Sequence, residues 1–393
     1  MAHSRTRHVE PLIKKALTYS PCVGLVGMRQ VGKSTLLRKD APTYHTFDDD
    51  RFMIRFEKEG HGIIETPPYP LALDEIQKYP PAFDMLKVSI DKLKKPGRFL
   101  VSGSVRFGSR RQIRESLTGR IVLMELFPFT LAECHQSPLS TFLLLLSEHT
   151  GAGLVSSLSK RAWANKKQVD DYRQTGGLPG ICFRRDAAVR ADLFAAHLET
   201  LLARDIHLIK KTTLSVNKLL LLLTEVAKTQ GLPTNLSHLS RVVGVSMPTI
   251  RSLMEAFQSL FLIRSYGNTW FFEDSGLSFH LAPVNGVMTR YDRIRLLYGE
   301  LRAQVSYSLK YQASMRPYRT RGGIDIPFLV EFKNGRKVAL VVEEEEIPSN
   351  KALKSLTWAK KKFSQLESLI LLNTQKPFET ATGIPCFPWT WVF

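Results

Sequence analysis

Short apolar runs punctuate the first hundred residues, and each is followed by a polar turn or a helical stretch. Val23 to Val26, Pro70 to Leu73 and Arg98 to Val101 read as strands. Strands that alternate with helices imply a parallel sheet covered on both faces. From about Thr150 to Lys211 the spacing is helical, with Gly176-Gly177-Leu178-Pro179-Gly180 marking a turn. Phe194, Leu198, Leu201 and Leu202 recur at helical intervals there and predict a core-facing stripe. Between Asn217 and Tyr266 the pattern gives three helices, over Leu219 to Ala227, Leu236 to Val242 and Pro248 to Leu260, then a short ribbon. From about Trp270 strands and helices alternate again.

The chain has 393 residues, enough for about two to three domains. With 44% hydrophobic and 23% charged residues it can bury several cores and is not a disordered polyelectrolyte. The formal net charge of +19 points to a polyanionic partner, nucleic acid or an acidic membrane surface. The longest purely aliphatic or aromatic runs, Phe142 to Leu146 and Leu219 to Leu223, are far too short to span a bilayer. The opening Met1 to Leu17 lacks the apolar centre of a secretory signal. The cysteines (Cys22, Cys134, Cys182, Cys386) are scattered with no CxxC spacing, which predicts neither a zinc site nor a disulfide framework. A soluble protein of a reducing, cytoplasmic compartment is expected.

The sharpest local signal is Gly27-Met28-Arg29-Gln30-Val31-Gly32-Lys33-Ser34, followed by Thr35. It is GxxxxGKS between a strand and a helix, the context a P-loop requires. Backbone N–H groups around Gly27, Gln30, Val31 and Gly32 would cradle phosphates at a helix N-terminus, with Thr35 beside them. Lys33 would reach the β- and γ-phosphates, and the Ser34 hydroxyl would ligate Mg²⁺. Downstream, Leu71-Ala72-Leu73-Asp74-Glu75 is an apolar strand ending in two carboxylates. Asp74 fits the acid on the metal side, and Glu75 fits the base that polarises the attacking water. Taken alone, such an acidic pair often only caps a helix. A third strand ends in Ser102-Gly103-Ser104, and either serine could sense the γ-phosphate. ATP and Mg²⁺ are the expected cofactors.

Together these segments resemble a family of bacterial and archaeal AAA+ type ATPases whose C-terminal domain is mainly of unknown function. The likeness rests on GMRQVGKST (27–35), LALDEIQ (71–77), FLVSGS (99–104) and SLTGR (116–120). It continues through LFPFTLAE (126–133), GGLPG (176–180), ARDI (203–206) and the Asp-x-Gly-Leu marker at Asp274 to Leu277. The resemblance implies an ATPase core over 1–150 with a helical lid over 151–211. Arg120, closing SLTGR, would be an arginine finger offered to a neighbouring subunit of a homo-oligomer, with Arg106 and Arg204 as rivals. A helix cap or a pairing with an acid such as Glu125 is the plainer role for Arg120.

Residues 212–268 read as a winged helix-turn-helix, with Gly244-Val245-Ser246 as the turn and Phe261-Leu262-Ile263 starting the wing. Where this motif binds DNA, the start of its third helix faces the major groove. Ser246, Thr249, Arg251 and Ser252 would stand there, with Arg241 on the preceding helix. Such modules also dock proteins.

In the last region, 269–393, Asp325 lies on one strand and Glu343 ends its hairpin partner across an Asn334-Gly335 turn. The arrangement resembles the PD-(D/E)xK restriction-endonuclease-like fold, in which two acids hold Mg²⁺ and a lysine orients the water. Here Glu345 takes the lysine position, and in the alternative E-x-K reading, Glu331 with Lys333, the lysine falls on the turn. A nuclease-like fold without activity is therefore expected; the run Glu343 to Glu346 is otherwise a solvated strand end. The aromatic tail from Phe387 to Phe393 predicts a final edge strand or a docking segment.

The leading expectation is an Mg²⁺-dependent ATPase that acts on DNA through a basic surface and the winged helix. The alternatives are a nucleotide-controlled signalling or defence switch with a protein partner, and an ATP-gated nuclease. Membrane association has no amphipathic anchor to support it.

Overall fold

The computed structural model describes residues 5–66, 68–106, 119–161, 163–283, 288–310 and 312–393. Its first sheet has five parallel strands, β1 (Cys22–Val26), β2 (Thr43–Thr46), β3 (Leu71–Asp74), β4 (Phe99–Gly103) and β5 (Ile121–Glu125), in the order β2-β3-β4-β1-β5. β1, β3 and β4 are buried along their whole length, which is why they read as unbroken apolar runs. The two edge strands are only partly buried. Because β4 inserts between β1 and β3, its serines arrive between the glycine-rich loop and the acidic pair. The carboxyl ends of the three strands therefore open onto one crevice.

Three helices follow at Val216–Lys228, Leu236–Val243 and Met247–Ser259, and then the hairpin β6 (Ile263–Tyr266) with β7 (Thr269–Phe272). Each helix starts on a side-chain cap, from Ser215, Asn235 and Ser246 respectively. β7 carries this unit past the sequence boundary at 268.

The third sheet holds β8 (Ala313–Arg319), β9 (Asp325–Phe332), β10 (Lys337–Val342), β11 (Leu366–Leu372), β12 (Phe378–Glu379) and β13 (Pro385–Pro388), ordered β12-β13-β11-β10-β9-β8. The helix Asn350–Lys362 crosses one face, and the helix Arg290–Tyr307 shares a core with the other. β13 sits inside the sheet, between β11 and β12, and not at its edge as the aromatic tail suggests. Trp389 and Phe393 are buried beyond it.

The region expected to form a lid divides three ways. Leu154 and Leu158 join the core of the C-terminal sheet. The helix Lys166–Thr175 packs on the helix Ser275–Leu281. The helix Ala187–Ala203 shares a core with the P-loop sheet through Phe194, Leu198, Leu201 and Leu202, joined by Leu178, Ile181 and Ile206. The apolar run Phe142 to Leu146, just before that region, joins the core of the C-terminal sheet. Among the described residues no helix is long and apolar enough to cross a membrane.

Candidate functional site

The loop that joins β1 to the helix Lys33–Asp40 is shaped by its two glycines. Gly32 has φ 102°, a left-handed backbone that a side chain would strain. A Cβ on Gly27 would land on the carbonyl oxygen of Leu126. Gln30, at φ 63°, shares a 3.1 Å hydrogen bond with His197 Nδ1, and Arg29 pairs with Asp205 at 3.3 Å. Thus ARDI and the helix Ala187–Ala203 hold the loop from one side. Burial lowers His197 to about 4, so its ring meets Gln30 uncharged at neutral pH.

Lys33 is buried and donates to the carbonyls of Gly27 (3.1 Å) and Met28 (2.9 Å), with Glu75 Oε1 3.9 Å away. Burial lowers its pKa, opposed by the charges of Glu75 and Asp74. Ser34 is half-buried and Thr35 exposed.

The acidic pair is wired to β4, one serine to each carboxylate. Ser102 donates to Asp74, whose other oxygen accepts from the Tyr44 hydroxyl at 2.6 Å. Ser104 donates to Glu75 through its hydroxyl at 2.8 Å and its backbone N–H at 3.3 Å. Gln77 completes the cradle, bonding both Glu75 and Ser104. Glu75 adopts a left-handed backbone, φ 53°, which turns its side chain back toward β4. The hydroxyl of Ser34 and the carboxylate of Asp74 are hard oxygen donors that suit Mg²⁺, which usually keeps waters and takes phosphate oxygens for the rest. Bound there, the ion would supply charge neutralisation to the phosphates. Among the described residues no group of three or more His, Cys, Asp or Glu could hold a metal.

Sequence reasoning missed Arg7. It is buried, donates to the carbonyls of Val31 (2.8 Å) and Phe127 (2.5 Å), and pairs with Glu133 at 3.2 Å. Its only trace is the Glu of LFPFTLAE. Two quoted motifs also interlock: Asp274 accepts from Gly177 N at 2.7 Å while capping the helix Ser275–Leu281 through Leu277 N. This clamp sets Pro179 3.8 Å from where a Cβ on Gly32 would stand.

Of the three arginines weighed as fingers, Arg120 forms a two-pronged pair with Asp91, at 2.7 and 2.9 Å. Ser116, Leu117 and Thr118 before it lie outside the described residues. Arg106 is turned toward the three-helix unit, bonding the carbonyls of Gln258 and Ser259. Arg204 pairs with Asp205 at 2.9 Å.

Arg241, Ser246 and Arg251 are exposed, and Thr249 is partly so. The Ser246 and Thr249 hydroxyls bond each other at 2.9 Å as part of the helix cap. In the C-terminal sheet Asp325 is held by Arg290 (2.9 Å) and Arg319 (2.7 Å), with Arg290 also 4.0 Å from Glu343. Burial would raise the Asp325 pKa, but the two guanidiniums win and lower it. Lys333 and Glu345 are both exposed, on the β9–β10 turn and after β10.

Residues 19–135 match a family described as an AAA domain. This part of the chain is similar to AAA domains. Residues 166–269 match a family described only as a domain of unknown function. Two uncharacterized mycobacterial proteins, Mb2031c of Mycobacterium bovis and Rv2008c of Mycobacterium tuberculosis, are each 33% identical over 130 residues. That stretch is 32% of this chain and 29% of either relative, so the chain spans under a third of the curated relatives it matches. Among solved structures, the Walker-type ATPase PABY2304 of Pyrococcus abyssi aligns with 14% identity and a TM-score of 0.42, over 69% of this chain and 94% of its own.

Proposed function

We propose that the chain binds ATP with Mg²⁺ and hydrolyses it, and that turnover moves the three-helix unit and the C-terminal domain on DNA. The observation that supports this reading best is the pairing of Asp74 and Glu75 with separate β4 serines, beside a buried P-loop lysine. Asp74 and Ser34 would hold the metal side of the triphosphate. Glu75 would accept the proton of the attacking water, and Ser104 would hold that carboxylate toward it. Lys33, released from its loop carbonyls, would meet the β- and γ-phosphates. Gly27, Gln30, Val31 and Gly32 would give backbone donors, with Thr35 beside them. Arg120 would serve as the finger if copies assemble, its pair with Asp91 exchanged for phosphate.

The three-helix unit and its hairpin are read as a winged helix, with Arg241, Ser246, Thr249 and Arg251 toward DNA. The sheet β8 to β11 with its two helices is read as a nuclease-like fold that does no cleavage. Arg290 and Arg319 already neutralise Asp325, and Glu345 stands at the position the lysine would take. A second reading, a nucleotide-controlled switch on a protein partner, draws on Val242, 38% exposed near the end of the second helix, and Met247, 48% exposed at the start of the third.

ATP turnover with and without duplex or single-stranded DNA tests the proposal. DNA is expected to raise the rate in the wild type and to leave Glu75→Gln inactive. Slow turnover indifferent to DNA, with intact ATP binding, would favour the switch.

A further inference from the structure

The helix Asn350–Lys362 carries five lysines, at 351, 354, 360, 361 and 362, and no acid. Elsewhere the chain intersperses charges on its surface helices, as in the i,i+4 pairs Arg55–Glu59 and Lys167–Asp171. The five lysines are exposed, and among the described residues none of them makes a salt bridge. At 100° per residue, Lys351, Lys354, Trp358, Lys361 and Lys362 fall on one stripe about 16 Å long.

Helix stability does not account for that stripe. Lysines in the last turn complement the helix dipole, but Lys351 and Lys354 lie in or beside the first turn, where a cation opposes it. Like charges at three- and four-residue spacing also repel. The arrangement costs the fold something, and the opposite choice, an acid near Ser349, was available.

Flat rings stand within the stripe. Trp358 packs 5.3 Å from Tyr318 of the edge strand β8, at 30° between planes, and Phe363 meets the same tyrosine at 5.4 Å. The Lys362 ammonium lies 5.1 Å from the Trp358 ring and 5.4 Å from Tyr318, with the Arg316 guanidinium 6.0 Å from Tyr318. All three rings are half-buried and pack against the core beneath the helix, leaving part of each exposed. Cations alternating with braced aromatic faces match a chain that alternates phosphates with bases.

We infer that this face of the C-terminal domain binds single-stranded nucleic acid, the lysines tracking phosphates and Trp358 with Tyr318 stacking unpaired bases. A duplex hides its base faces, and the helix carries no exposed apolar side chain to enter a bilayer. The inference does not rest on ATP turnover or on the helix-turn-helix touching DNA.

The test is anisotropy of a labelled oligothymidylate with the full-length protein across a salt series. Changing Lys351, Lys354, Lys361 and Lys362 together to Gln is expected to weaken binding more than tenfold. It should also flatten the log K against log[salt] slope by about 3, at roughly 0.7 per phosphate contact. Trp358→Ala should weaken binding by about 5- to 150-fold while leaving the salt slope unchanged. Should that variant lose its fold, the lysine variant, altered only at the surface, still decides the matter. Arg241→Ala with Arg251→Ala is expected to keep oligothymidylate binding, which separates this face from the helix-turn-helix. Unchanged affinity in the four-lysine variant would overturn the inference. So would a hairpin duplex bound as tightly as the single strand, or binding confined to phosphatidylserine vesicles.

Discussion

The Ser104 hydroxyl donates to Glu75 Oε2 at 2.8 Å, and this bond joins the end of β4 to the carboxylate proposed to activate water. Two strands that are neighbours only through the sheet order are thereby tied at the point where a γ-phosphate would lie. Removing the hydroxyl leaves Glu75 with Gln77 and the Ser104 N–H as partners, so the carboxylate loses direction and keeps its charge. Ser104→Ala is expected to lower kcat for ATP by about 10- to 100-fold, the worth of one hydrogen bond to a charged group. KM should change little. Steady-state kinetics read both, and a fall in affinity without a fall in kcat would place Ser104 on the nucleotide instead.

Glu273 lies buried among Arg264 (2.8 Å), Arg302 and Arg106 (3.8 Å), while Glu125 at the end of β5 pairs with Arg264. These side chains come from the P-loop sheet, the three-helix unit and the helix Arg290–Tyr307. Burial raises the Glu273 pKa, yet the surrounding guanidiniums win and bring it down to about 2. A depressed acid adds stability above its unfolded pKa, near 4.5, and loses it as pH falls toward 2. Glu273→Gln leaves buried arginines uncompensated and should cost about 3–5 kcal/mol at neutral pH. Urea unfolding at pH 7 measures it, and a loss under 1 kcal/mol would mean that the cluster does not join the three parts.

Glu300 behaves in the opposite sense. Burial raises its pKa to about 7, opposed by the bond from Leu131 N (2.8 Å), while nearby Glu133 raises it further. Its raised pKa favours the protonated form in the fold. The stability it adds is therefore full below about 4.5 and is lost as pH rises through 7. On that account the protein loses on the order of 3 kcal/mol between pH 5 and pH 8 through this group. In Glu300→Gln, which cannot ionise, that part of the slope should vanish. Melting curves of both proteins over this pH range give the comparison, and parallel slopes would contradict it.

Much of the P-loop unit is legible in the chain because its signals are local. β1, β3 and β4 are buried along their length, so each leaves an apolar run, and each leads directly into the glycine loop, acidic pair or serine that the site uses. The three helices at 216–259 announce themselves through Ser215, Asn235 and Ser246 at their starts. What stays hidden depends on contacts between distant residues. Arg7 reaches Phe127 across 120 positions, and Arg264 reaches Glu125 across 139, with no periodicity to mark either. The same limit hides the division of the expected lid, since Leu154 and Leu198 both read as helix core whichever sheet receives them. In the C-terminal sheet Asp325 and Glu343 are legible as an acidic pair, but Arg290, which joins them, stands 35 residues before Asp325.

The central claim is that Lys33, Ser34 and Asp74 converge on a magnesium–triphosphate. Equilibrium titration of a fluorescent ATP analogue, with and without Mg²⁺, into wild-type and Lys33→Ala protein tests it most directly. Saturable binding that needs the metal and drops at least a hundredfold in Lys33→Ala is the expected result, since a buried charged contact to phosphate is lost. Equal binding by the two proteins, or none by the wild type with Mg²⁺ present, would contradict the account.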